Sequence, residues 1–268
     1  MAHAVKRLEK AERARAEQRF AVDWSKLLDA DFDEDRVTVQ QVASGVPAWV
    51  VDGLLSPREC ARLIKACEQS KGFGKTPYMK AYRGNTRMMT TDMVLASKVW
   101  ARIRQFCPPT FKTVESVPNP ADLECSAVAT RWTPVGLNER WRWAKYWPTD
   151  RFARHVDAFF ERFAKGQIIK GADGKPFKPP YTERSFLTFN LYLNGHDATP
   201  AGLPTFRDGE TRFFLSDDAK KPTHLITPKA GRVVLFQQPP HADLLHDGAV
   251  VEGGNKYLLR SDVMYRSS

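Results

Sequence analysis

Short apolar or alternating runs recur through the second half of the chain, at 140–147, 151–156, 185–193, 210–215, 223–227, 232–237 and 255–265, with Gly, Pro, Asp and Asn between them. Residues two apart on an extended chain project to one face, so each run predicts a short strand. Many short strands set off by turn residues predict a β-sandwich or jelly roll, not alternating βαβ units. The first half has another texture. VPAWVVDGLL (46–55) predicts a strand running into a turn. Ser56, Pro57 and Glu59 then occupy the cap, first-turn and N3 places of a helix, whose apolar face continues through Leu63, Ile64 and Cys67. A second helix is predicted over 91–106, from Val94, Leu95, Val99, Ile103 and Phe106 at helical spacing. Between the two, the polar segment Tyr82-Arg83-Gly84-Asn85-Thr86-Arg87 is a candidate strand edge.

Nothing resembling a linker separates the helical part from the β part. The expected architecture is therefore one α+β domain over 41–268, with supporting helices at about 46–110 and a β core at about 125–266. Residues 1–40, rich in charge and thin in apolar positions, read as a leader that is helical or mobile.

Composition narrows the class. Hydrophobic residues make up 42% of the 268, enough for a core, and 27% are charged, an ordinary globular level. The net charge of +10 attracts phosphates or acidic partners, but no zinc finger, RNA-recognition motif or basic zipper accompanies it, so a nucleic-acid partner is not expected. Cys60, Cys67, Cys107 and Cys125 form no close CxxC pair, which favours reduced thiols over a zinc site. No run reaches membrane-spanning length, and the first twenty residues carry six Lys/Arg and three Glu without an apolar stretch. A cytoplasmic or nuclear location, not a secreted or membrane one, is the expectation.

The sharpest chemical signal is His155-Val156-Asp157, which on a strand aims an imidazole and a carboxylate at one point. A lone HxD is common by chance. His246 near the end of the β region supplies a second imidazole, and two His with one carboxylate form a facial triad that leaves half of an octahedral metal open. Lys256, ten residues after His246, and Arg260, four further on, are cations on one strand face, where a buried carboxylate of a ligand would need them. His241 is the competing distal ligand. Trp141, Trp143 and Trp147 look like an aromatic core face, which puts Arg142 on the opposite face with Tyr146.

With these residues in view, the region 138–265 resembles the prolyl 4-hydroxylase-like branch of the Fe(II)/2-oxoglutarate dioxygenases. The matching stretches are NERWRWAKYWPTDRFARHVD, SFLTFNLYLN, GETRFF, PKAGRVVLFQ and LLHDGAVVEGGNKYLLRSDVMY, in the family's order. The resemblance implies a double-stranded β-helix (jelly roll) with N-terminal supporting helices. It implies Fe(II) on His155, Asp157 and His246, and 2-oxoglutarate held by Tyr146, Tyr192, Lys256 and Arg260. It further implies O2 as co-reactant, ascorbate (vitamin C) as reductant, and hydroxylation of a prolyl residue of a protein. Asn85, Arg87 and Arg142 are the candidate substrate contacts. The alternatives are another residue type or a small molecule as substrate, nucleic-acid demethylation on the same fold, and a peptide-binding pseudoenzyme. Glu252 departs from the arginine pattern of the demethylases. The stretch 158–184 is long and rich in Gly and Pro, which suits a lid over the substrate. With Arg83, Arg87, Lys165, Lys170, Lys175 and Lys178 it would make a basic mouth suited to an acidic peptide.

Overall fold

Twelve strands and two helices carry the architecture. The strands are Thr38–Gln41 (β1), Ala48–Asp52 (β2), Thr86–Thr91 (β3), Thr130–Leu137 (β4), Arg140–Tyr146 (β5), Phe152–His155 (β6), Glu183–Tyr192 (β7), Thr211–Phe214 (β8), His224–Ile226 (β9), Val233–Gln237 (β10), Leu245–Gly248 (β11) and Lys256–Ser267 (β12). The helices are Pro57–Ser70 (α1) and Met93–Ile103 (α2). This computed structural model describes residues 22–116, 130–162, 169–170, 176–177, 183–239 and 242–267.

From β5 onward the chain passes back and forth between two antiparallel sheets. The larger has the order β1-β2-β10-β7-β12-β5-β3, and the smaller β9-β8-β11-β6. Consecutive strands leave one sheet and enter the other, except β8 and β9, which pair as neighbours in the smaller sheet, and strands far apart in sequence become neighbours. That is a double-stranded β-helix. Its two inner faces meet through Tyr192, Val234 and Phe236 on one side and Phe213 and Ile226 on the other.

The period of two decides what each strand shows to each side. On β5, Trp141 and Trp143 point out to the helices and are fully buried there, while Arg142, Ala144 and Tyr146 point between the sheets. On β7, Leu187, Phe189 and Leu191 face the helices, joining Leu63, Cys67, Leu95, Val99 and Ile103 in one core. Its other face carries Thr188, Asn190 and Tyr192, all buried. A buried strand face this polar is costly unless each group finds a partner, and this face forms the site.

α1 begins as its sequence predicts. Ser56 Oγ accepts from the Glu59 amide and Glu59 accepts from the Ser56 amide, a complete capping box. Glu59 does more than cap. Its fully buried carboxylate also accepts from the Asp29 amide at 2.8 Å and pairs with Arg102 of α2 at 2.8 Å and Arg36 at 3.5 Å. Glu59→Ala leaves the buried Arg102 guanidinium without its counter-ion, holding only the Asp29 carbonyl and the Phe32 ring, and removing one partner of a buried pair costs about 3–5 kcal/mol. A urea titration is expected to show a loss of that size; no change would mean the cap is dispensable.

Several expectations need correction. Trp24 is buried against Trp143 at a centroid distance of 4.4 Å, and Leu28 is buried too, so from about residue 22 the supposed leader is packed into the core. Its other calls, on residues 1–21, lie outside the described residues. Val94 is 57% exposed and Trp147 46%, because the first turn of α2 overhangs the sheet and β5 ends at Tyr146. β4, β8's partner β11 and most of β3 were not among the expected strands. Cys60, Cys67 and Cys107 are buried free thiols. Cys125, His241, Lys165, Lys175, Lys178 and most of the 158–184 stretch lie outside the described residues; within it, Ile169–Lys170 pairs with Pro176–Phe177 as a short antiparallel hairpin. Among the described residues, no helix is long and apolar enough to cross a membrane.

Candidate metal centre

Register brings the three predicted ligands together. β11 pairs with β6 so that His246 lies directly opposite His155. Their ring centroids are 4.2 Å apart. β6 ends at His155, and Asp157 follows two residues on, beyond the strand rather than on it. Its carboxylate still closes the group: Oδ1 is 3.4 Å from His155 Nε2, and Oδ2 is 3.6 Å from His246 Nε2. One ligand atom from each residue falls within 4.8 Å of the others, a grouping that can hold a metal ion.

The hydrogen bonds prepare both imidazoles as ligands. His155 Nδ1 lies 2.8 Å from the Ala153 carbonyl, and His246 Nδ1 lies 2.9 Å from the Leu244 carbonyl. A carbonyl can only accept, so each Nδ1 carries the proton and each Nε2 keeps a lone pair aimed at the common centre. Burial pushes the pKa of His246 down to about 4, against the pull of Asp157, so the ring is neutral near pH 7. Burial alone would raise the Asp157 carboxyl, but Arg260 and the two imidazoles outweigh it and hold it well below the usual range. Two imidazole nitrogens and one carboxylate, all converging on one side, form a facial triad.

Asp157 is held by Thr188, which sequence reasoning missed, and by Arg260, which it assigned to the ligand. Thr188 Oγ1 donates to Oδ2 at 2.8 Å, and Arg260 Nη1 meets Oδ1 at 2.6 Å. Thr188 in turn accepts from Gln238, which also donates to Asp262, and Asp262 pairs with Arg142 at 2.8 Å. Gln238 and Thr188 are fully buried. The signal that could have found Thr188 is its place among polar residues at alternating positions of an otherwise apolar strand; Gln238 lies beyond the end of β10 and left no such trace.

The cosubstrate candidates divide. The Lys256 ammonium is buried, donates to the Gly209 carbonyl at 2.6 Å, and sits 5.3 Å from the ring centroids of both Tyr146 and Tyr192. No carboxylate of the described residues pairs with it. Burial pushes its pKa down to about 8, opposed by the more distant Glu210 and Asp247. The Tyr192 hydroxyl is shared with Thr211 Oγ1 at 2.5 Å. A buried ammonium without a counter-ion, flanked by two phenols, fits one carboxylate of a ligand whose other end reaches the triad. Arg260 lines the same pocket, with its guanidinium turned to Asp157.

The substrate candidates divide as well. Arg87 and Arg142 line the pocket. Asn85 does not; it is 1% exposed, accepts from Arg83 Nε at 2.9 Å and donates to the Thr86 carbonyl, so it positions Arg83 instead of touching a ligand. Phe152 stacks on the His155 ring at 3.6 Å and walls the metal on its outer side. Beyond it lies a wider cleft of about 650 Å³, lined by Tyr82, Arg151, Arg154 and Arg212 among others.

No family model matches the sequence, and no curated protein matches it. Solved structures do. A viral collagen prolyl hydroxylase from Paramecium bursaria Chlorella virus-1, in complex with 2-oxoglutarate, is 19% identical over 84% of this chain and 99% of its own, with a TM-score of 0.46. A Pseudomonas putida prolyl-4-hydroxylase is 15% identical over 82% of this chain and 94% of its own, with a TM-score of 0.47. A Trichoplax adhaerens prolyl hydroxylase, in complex with a peptide fragment of the hypoxia inducible factor oxygen degradation domain, is 14% identical over 97% of this chain and 92% of its own, with a TM-score of 0.48. The fold and the metal centre stand here on strand order and side-chain geometry instead.

Proposed function

We propose that the protein is an Fe(II)- and 2-oxoglutarate-dependent hydroxylase, and that its substrate is a prolyl residue of a protein or peptide. The observation that carries the reaction class is the pairing of an open His155-Asp157-His246 triad with a counter-ion-free ammonium, Lys256, in one pocket. Bound Fe(II), 2-oxoglutarate and O2 supply the oxidation, coupling decarboxylation of the keto acid to hydroxylation of a C–H bond. The chain supplies the rest. His155, Asp157 and His246 hold the metal on one side; Thr188 and Arg260 fix the carboxylate so that it presents one geometry. Lys256, Tyr146 and Tyr192 orient the remote carboxylate of the keto acid, and Phe152 excludes water from the metal's outer side. The prolyl reading rests on the sequence resemblance. A prolyl-peptide library with Fe(II), ascorbate and 2-oxoglutarate, read for a mass gain of one oxygen, tests it; no gain on any prolyl peptide, with decarboxylation intact, would remove the prolyl assignment alone.

The Lys256 charge gives the reaction a pH signature. A cation whose pKa is depressed by burial is charged below that value and neutral above it, so the anchor is complete below about 8 and lost as pH rises through it. The KM for 2-oxoglutarate is therefore expected to rise above about pH 8, with kcat nearly level because bound carboxylate restores the charge. Lys256→Arg, whose guanidinium stays protonated, should flatten that rise. A KM independent of pH in the unaltered enzyme would rule out Lys256 as the anchor.

A further inference from the structure

Arg83 forms no ion pair among the described residues, although it is half-buried beside the metal site. Its guanidinium lies 4.3 Å above the Phe152 ring, whose other side stacks on His155, so the cation is one ring away from a metal ligand. Its backbone is fixed by a bridge to Phe152, by the Gly84 amide donating to the Arg151 carbonyl at 3.0 Å, and by Gly84 itself, where a Cβ would lie 2.5 Å from Asp150 Oδ1. Its side chain is fixed by Asn85. Burial lowers its pKa, and Arg87 and Arg260 add repulsion against the opposing pull of Tyr146 and Tyr78, so holding a cation there is costly without an anion.

The rest of the pocket does not supply that anion. Arg142 and Arg260 are served by Asp262 and Asp157, and Asp247 is engaged by Arg212 in a two-point pair. Under the proposed reading the two negative charges of 2-oxoglutarate face three positive ones, two on Fe(II) and one on Lys256, so the keto acid leaves none for Arg83. A positive charge at Arg83 remains after every cofactor is in place. Two more polar atoms of pocket-lining residues, Arg260 Nε and Asn190 Oδ1, are buried without a hydrogen-bond partner.

We propose that the substrate oxidised here carries a carboxylate close to the reacting group, received by Arg83 beside Phe152, and that the pocket discriminates against the same scaffold as a neutral amide. This rests on the oxygenase reading and narrows its substrate class. The carboxylate can belong to a free carboxylic acid or to an acidic residue adjoining the reacting one in a peptide.

The test separates these sources, and separates their failure from that of the oxygenase reading. Mn(II) and N-oxalylglycine, inert stand-ins for Fe(II) and 2-oxoglutarate, are bound first, and their uptake is measured; if they do not bind, the oxygenase reading fails. To the loaded protein, amino acids are then titrated calorimetrically as free acids and as amides, and prolyl peptides with a neighbouring Asp or Asn. One acid member is expected to bind roughly ten- to a hundred-fold tighter than its neutral twin, the range of a charge-assisted hydrogen bond. Arg83→Gln should erase the difference and Arg83→Lys should retain part of it. Asn85→Asp, nearly isosteric, sets a carboxylate against Arg83 in place and should erase it without removing the side chain. A preference among free acids names a small substrate, and one among Asp peptides names an acidic sequence. Acid and neutral members within about twofold throughout, or a preference that survives both Arg83→Gln and Asn85→Asp, would overturn the proposal.

Discussion

Alanine at His246 is expected to abolish 2-oxoglutarate turnover and tight Fe(II) binding, with the far-ultraviolet circular dichroism unchanged. His246 supplies one of three converging donors, and its Nδ1 is already spent on the Leu244 carbonyl, so no other atom of the residue can substitute. Its neighbours Phe213 and Phe236 keep that part of the inter-sheet core filled. His155→Ala should behave alike. Asp157→Ala should lose turnover too, but with a second penalty. It leaves the Arg260 guanidinium, now 2.6 Å from the carboxylate, with only Asp262 at 3.9 Å, and breaking a buried pair costs about 3–5 kcal/mol. Equilibrium dialysis against Fe(II) with chemical denaturation separates the two effects. Ordinary turnover in a folded His246→Ala protein would move the distal ligand elsewhere, and His241 would be the first candidate.

Lys256→Ala is expected to raise the 2-oxoglutarate requirement roughly ten- to a hundred-fold, the worth of a charge-assisted bond to a buried carboxylate, while Fe(II) affinity stays put. Arg260→Ala should do the reverse, weakening the metal through Asp157 and sparing the keto acid. The pair of variants is informative because the two cations share a strand face and lie four residues apart, yet serve opposite ends of the pocket. If Arg260→Ala alone raised the 2-oxoglutarate requirement, the division of labour drawn from their contacts would be wrong.

Much of the site could be read from sequence because its signals are local. HxD spacing, a later His and a downstream Lys are visible without coordinates, and the capping box of α1 declares itself in four residues. The strands that alternate cleanly were also legible. β4 was not, since Pro134 and Gly136 interrupt its apolar alternation; in the structure they sit where the pairing with β12 shifts register between Met264 and Tyr265, a bulge that tolerates them. What a side chain does on arrival was the least legible. Arg260 and Asn85 were expected to touch ligands because of the face or segment they occupy. Their actual partners, Asp157 and Arg83, are chosen by tertiary approach, which spacing does not encode. Trp24 was hidden for the same reason: a lone aromatic in a charged stretch gives no periodicity, and only the sheet it reaches shows its role.

The central claim is that one pocket holds Fe(II) on three side chains and 2-oxoglutarate on Lys256. Its most direct test is release of labelled CO2 from 2-oxoglutarate labelled at C1, with purified protein, Fe(II), ascorbate and air. The account predicts release that needs both Fe(II) and O2, vanishes with His246→Ala, and returns for Lys256→Ala only at raised 2-oxoglutarate. Release that persists without the triad, or none at all from protein shown to be folded and loaded with Fe(II), would contradict it.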